Sequence, residues 1–136
     1  MITLTGSYAI RAVVYLAEAR SRVAEGENVT AAEIAQRTGM PQNYLTKILH
    51  GLAQAGVLDS TRGPRGGFRL ADGAEGLTLK DVLTPFEHVP GRGCFLCPEG
   101  CSEGAACPSY ERCLTLTGQV EQFLRTTRIT DLITGT

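Results

Sequence analysis

No cysteine stands before Cys94 or after Cys113 in this 136-residue chain. Cysteines used as small core residues would be scattered among the buried helices, and that usage is excluded here. Long apolar runs are also missing. No stretch approaches the roughly 18–20 residues that span a bilayer. The most tempting segment, residues 1–20, is interrupted by Arg11, has no basic lead, and is followed by no small-residue cleavage site, so it does not read as a secretory signal. The expectation is a cytoplasmic chain with no membrane association. In a reducing cytosol a cysteine cluster points to metal or redox chemistry rather than to a disulfide framework, and five cysteines leave one thiol over in any pairing scheme. The chain lacks a glycine-rich nucleotide loop, internal repeats and low-complexity tails, which removes the usual supports for an enzyme. Histidine is scarce: His50 reads as solvated or near phosphate, and His88 as a surface residue within reach of Cys94 as a cluster ligand.

What is present begins with a length sufficient for one domain that buries a real core without covalent staples. The net charge of −1 conceals a polarity. Residues 41–69 carry Lys47, Arg62, Arg65 and Arg69 against Asp59 alone, whereas acidic residues predominate after residue 70. A basic segment within a neutral chain suits a polyanion, although a solvated face has the same composition.

The periodicity predicts a helix over 7–19, capped by Ser7, with Ile10, Val13, Val14 and Ala17 inward. Thr30-x-x-Glu33 is a capping-box signature for a short second helix that Gly39 stops. Pro41 suits the first turn of a third helix, running to about Gln54, with Leu45, Ile48, Leu49 and Leu52 buried. Its outer side carries Gln42, Asn43, Thr46, Lys47 and His50, with Tyr44 at the edge. Two helices joined by a tight glycine-containing turn form either a helical hairpin or a helix-turn-helix. The sequel favours the second. Val57–Arg62 and Phe68–Leu70 read as two strands joined by Gly63, Pro64, Arg65, Gly66 and Gly67, a hairpin with arginines at its tip. Donors on the third helix (Gln42, Asn43, Tyr44, Thr46, Lys47) suit base edges and phosphates in a major groove, and Arg62, Gly63, Pro64 and Arg65 suit the adjacent backbone or minor groove. Thr78-x-x-Asp81 caps a further helix with Leu79, Val82, Leu83 and Phe86 apolar. After Pro108 a long helix presents Leu116, Val120, Phe123 and Thr127 in one stripe, suited to the chain's own core or to a second copy. The fold expected is mainly α with a small β-hairpin wing: a winged helix-turn-helix over 1–86, a cysteine-rich loop over 87–113, and a C-terminal dimerisation helix and tail over 114–136.

The segment from Gly93 to Cys113, GCFLCPEGCSEGAACPSYERC, holds Cys94, Cys97, Cys101, Cys107 and Cys113. Its glycines and prolines make most of it a loop that can direct several thiolates at one object. Iron–sulfur clusters take such thiolates. Zinc takes the same ligands, but Cys94-x2-Cys97 finds no partner at a standard zinc spacing. A redox-active disulfide sensor is the third option, and a small iron–sulfur electron carrier the fourth.

LTGSYAIRAVVYLA (4–17), AAEIAQRTGMPQNYLTKILHGLAQAGVLDSTRGPRGGFRL (31–70) and the triple Cys101/Cys107/Cys113 together resemble the IscR/NsrR family of bacterial winged-helix regulators. The resemblance spans essentially the whole chain. It implies a homodimer on double-stranded DNA with a dyad-symmetric operator, acting as repressor or activator. It further implies a cluster, 2Fe-2S or 4Fe-4S, held by Cys101, Cys107 and Cys113, whose assembly, loss or nitrosylation changes DNA affinity. Asn43, Tyr44 and Lys47 fall where the family's reading helix makes contacts, and Arg62, Gly63, Pro64 and Arg65 fall in its wing. Two departures concern the fourth ligand. Where some members have a histidine this chain has Leu116, and where others have an N-terminal aspartate it has Ser7. Cys94 or Cys97 is therefore the candidate fourth ligand, and either could also replace Cys101.

Overall fold

The computed structural model describes residues 4–20, 28–64, 66–86 and 110–133. Within them the order is α1 (Leu4–Arg20), α2 (Ala31–Thr38), α3 (Gln42–Gln54), β1 (Leu58–Thr61), β2 (Gly67–Leu70), a 3-10 turn (Ala74–Gly76), α4 (Leu79–Leu83), α5 (Tyr110–Thr126) and a second 3-10 turn (Ile129–Leu132). The architecture is the expected one, mainly helical with a two-stranded antiparallel hairpin.

The helix α1 differs from expectation at its start and in its buried face. It already runs at Leu4, so Ser7 lies inside the helix and is not its cap. The residues turned inward are Ala9, Ala12, Val13, Leu16 and Ala17, whereas Ile10 and Val14 are only half-buried. Size explains the rotation. Alanines at the contact allow α1 to lie close against both α3 and α4, its two main helical neighbours.

Local signals decide α2 and α4. The Thr30 hydroxyl accepts from the Glu33 backbone N–H at 3.1 Å, and Gly39, in the left-handed conformation, closes α2. The Glu33 carboxylate accepts instead from the Tyr15 hydroxyl, which ties α2 to α1. At α4 the box is complete: Asp81 N–H donates to the Thr78 hydroxyl and Thr78 N–H donates to the Asp81 carboxylate.

The hairpin pairs Leu58 with Leu70, Asp59 with Arg69, Ser60 with Phe68 and Thr61 with Gly67. Its other edge is not bare, because Val29 and Phe68 exchange backbone bonds of 2.8 and 2.7 Å. That approach requires glycine next door: a Cβ on Gly67 (φ +146°) would lie 2.6 Å from the Val29 carbonyl oxygen. At Gly66 a Cβ would lie 2.4 Å from the Thr61 carbonyl oxygen, inside the turn. These two glycines therefore close the hairpin and dock it against Val29.

The C-terminal part of the chain returns to the core. Leu79 N–H donates to the Thr127 carbonyl and Ile129 N–H to the Leu77 carbonyl, and Ile129 is fully buried. Leu124, Leu132 and Ile133 pack beside it. Lys80 on α4 and Arg125 on α5 both pair with Glu121 and hold its carboxyl below the usual carboxylate range, the Lys80 hydrogen bond contributing most. Solvent-screened pairs of this kind contribute little to stability. Burying a side chain such as Ile129 contributes about 1.5–3 kcal/mol, so apolar packing sets where α5 sits.

Candidate DNA-reading face and thiol segment

The residue types on α3 follow from its burial. Leu45, Ile48, Leu49 and Leu52 fill the core, which leaves Gln42, Asn43, Tyr44, Lys47 and His50 exposed on the other side. Asn43 and Lys47 are one turn apart and form a polar ridge continued by His50. Thr46 is half-buried and donates its hydroxyl proton to the Gln42 carbonyl at 2.8 Å, which leaves it only acceptor capacity toward an outside group.

Tyr44 is held more firmly than its position in the sequence suggests. Its hydroxyl is hydrogen-bonded to that of Thr5, and its ring meets the Tyr8 ring edge-on with centroids 5.6 Å apart. Arg11 lies 5.8 Å from the Tyr8 centroid and donates to the Thr38 carbonyl at 2.9 Å. That carbonyl is one of the acceptors a helix leaves unpaired at its C-terminal end. Thr5, Tyr8 and Arg11 thus join the start of α1, the end of α2 and the start of α3. Sequence reasoning missed all three. The one available signal was polar or aromatic residues on an otherwise apolar helix.

The wing is tied to the same helix. His50 rests edge-on against Phe68 of β2, with centroids 5.5 Å apart, so it is not simply solvated. Arg69 faces Asp59 across the strands at 3.7 Å. Arg62, Gly63 and Pro64 are exposed in the connection, and no atom would crowd a side chain at Gly63. Arg65 lies outside the described residues. Asp59 is the one carboxylate between Gln42 and Leu70, and its pairing with Arg69 leaves the exposed ridge and the wing tip net positive.

Of the thiols, Cys94, Cys97, Cys101 and Cys107 lie outside the described residues, as does His88. Cys113 occupies the first turn of α5 and is buried. The described residues alone bring no three metal-ligating side chains together, so any donor set that includes Cys113 draws its other thiols from 94–107. A buried thiol at the exit of that segment suits such a set, because thiolate ligands are commonly shielded from water. Leu116 is largely exposed and Ser7 half-buried in α1.

A helix-turn-helix whose second helix exposes a polar ridge, flanked by a hairpin with a basic tip, defines a winged-helix DNA-binding regulator. Residues 2–135 match the Rrf2 family, described as an iron-dependent transcriptional regulator. The chain belongs to this family. It is 36% identical over 132 residues to an HTH-type transcriptional regulator of Aquifex aeolicus, covering 95% of this chain and 88% of the relative. It is 30% identical to the HTH-type transcriptional regulator IscR of Cereibacter sphaeroides, covering 97% and 86%. Among solved structures it resembles CymR, the global cysteine regulator of B. subtilis, with a TM-score of 0.74, 23% identity and coverage of 97% and 95%. At that identity the likeness speaks for the fold. The chain is a transcriptional regulator and not an enzyme, and regulators of this family bind DNA.

Proposed function

We propose that the protein is a cytoplasmic homodimer whose α3 helices and wings read a dyad-symmetric operator, and that an iron–sulfur cluster in its cysteine segment sets the affinity for that operator. Gln42, Asn43, Tyr44 and Lys47 face the major groove, with Thr46 as an acceptor behind them. Arg62, Gly63, Pro64 and Arg65 follow the neighbouring backbone. Cys101, Cys107 and Cys113 are the ligands, with Cys94 or Cys97 as the fourth.

One observation carries the sensing half of this reading: four of the five thiols lie in sequence between Phe86, packed against the core, and α5, docked on α4, and the fifth, Cys113, stands in the first turn of α5. Whatever they hold therefore bridges two elements that bear on the DNA-reading half. A bound cluster supplies a group whose charge and ligation change with iron supply, oxygen or nitric oxide. The protein's own part is to present thiolates, shield Cys113, and keep Asn43, Lys47 and the wing tip outward. The family's description as iron-dependent agrees with this choice.

The test is anaerobic purification with a UV–visible spectrum, iron and acid-labile sulfide assays, and fluorescence anisotropy on a duplex selected from a random library. A brown, sulfide-containing protein whose colour is lost in Cys101→Ser, Cys107→Ser and Cys113→Ser, and whose DNA affinity changes with the colour, is expected. A colourless protein that carries zinc, or one that responds only to thiol oxidation, would replace the cluster with a metal clip or a thiol switch. The DNA-reading half would then stand without it.

A further inference from the structure

Gly51 sits within α3, where glycine is disfavoured relative to alanine. The space beside it is taken. A Cβ at Gly51 would lie 2.9 Å from Cε1 and 3.2 Å from Cζ of Phe86, so the Phe86 ring lies directly on the helix backbone where a side chain would otherwise stand. Phe86 closes the turn after α4, its N–H donating to the Leu83 carbonyl at 2.9 Å. The sequence then continues into the residues that carry Cys94 to Cys107.

We propose that Phe86, seated on Gly51, is the positioning residue through which the state of the cysteine segment acts on the DNA-reading helix. The inference rests on the reading above, that this segment controls operator affinity. Geometry makes Phe86 the fitting place for the coupling. It stands eight residues before Cys94 in the sequence, and its ring meets α3 at Gly51, where no side chain of that helix intervenes. The other end of the segment is fixed differently. Cys113 is buried at the start of α5, and α5 is held to α4 by Lys80–Glu121 and by Leu79 N–H on the Thr127 carbonyl. The span between Phe86 and Cys113 therefore starts where the end of α4 rests on α3 through the Phe86 ring, and it ends on α5, which is docked on α4. Gly51 lies one turn beyond Lys47 on nearly the same side of α3 and directly follows His50, so displacement of the ring shifts the helix beside that ridge.

The readout is the ratio of operator affinities of full-length protein with its cluster and after the cluster is removed by chelation and oxidation, measured by anisotropy on the selected duplex. Coupling between sites commonly amounts to about 5–150-fold, and the wild-type ratio is expected in that range. Phe86→Ala should bring the ratio to within about twofold of unity while DNA binding survives in both states. Gly51→Ala is the second variant. It favours helix and cannot fail to fold for want of propensity, yet its methyl displaces the ring tip, and it should also change the ratio. If Phe86→Ala and Gly51→Ala keep the wild-type ratio, or weaken both states by one common factor, the contact is merely structural and the proposal is overturned. If the wild-type ratio is itself unity, the sensing function proposed above falls, and the coupling falls with it.

Discussion

At the scale of the residue, the buried positions of α3 were legible and the surroundings of its exposed ones were not. Leu45, Ile48, Leu49 and Leu52 repeat at helical spacing, so their burial and the exposure of Gln42, Asn43 and Lys47 follow from period alone. Tyr44 and His50 looked equivalent to these, yet one is held by Thr5 and Tyr8 and the other rests on Phe68. Such partners come from distant parts of the chain, and periodicity carries no information about them. The consequence is a division of labour on one helix: Lys47 is an exposed cation, and Tyr44 a platform held by Thr5 and Tyr8. An ammonium that contacts phosphate releases one counterion, so Lys47→Ala should weaken binding to any duplex and lower the slope of log K against log salt by about 0.9. Anisotropy titrations at several salt concentrations measure this, and an unchanged slope removes Lys47 from the phosphate backbone.

At the scale of the element, what is written locally was read correctly and what depends on docking was displaced. Thr30 and Thr78 cap the helices they were expected to cap because a hydroxyl three residues ahead of a free N–H needs nothing else. Ser7 belongs to the same residue class but sits inside α1, since the alanine-rich contact with α3 and α4 outweighs a cap worth about 1 kcal/mol. The hairpin was placed almost to the residue, but its bridge to Val29, which fixes the wing against the body, has no sequence signature. The element most dependent on its cap is α4, which is only five residues long and has to support both α5 and Phe86. Thr78→Ala removes the Oγ1 acceptor of the Asp81 N–H and should cost about 0.5–2 kcal/mol. Urea unfolding would register this as a lower midpoint at constant slope, with Thr78→Ser restoring most of it. An unchanged midpoint would mean that packing alone holds α4.

At the scale of the whole molecule, the question is what covers the outer side of α5. Cys113 is buried and Val120 and Leu124 are half-buried, so the helix is settled on its own chain along that stripe. Leu116 and Phe123 remain 42% and 52% exposed. They are seven residues apart and so lie nearly in line along one shoulder of the helix. The sequence showed these two in one apolar stripe but could not tell whether that stripe was intramolecular. The structure divides it, with Val120 partly covered and its neighbours open. A reader of two-fold-symmetric DNA needs a self-complementary contact, and an apolar shoulder on a helix running beside its copy supplies one. Leu114 is also half-exposed, but it lies nine residues before Phe123, half a turn away, and cannot share that contact. This separates the prediction from a general effect of surface polarity. Phe123→Glu places a charge in the proposed interface: where multi-angle light scattering gives the wild type the mass of the proposed dimer, this variant should have that of a monomer, with loss of tight binding to a two-half-site duplex and little change on a single half-site. Leu114→Glu, with the same change of charge on the opposite side, should leave mass and affinity as they were. A dimer that survives Phe123→Glu, or one broken equally by both substitutions, would move the two-fold contact away from this shoulder of α5.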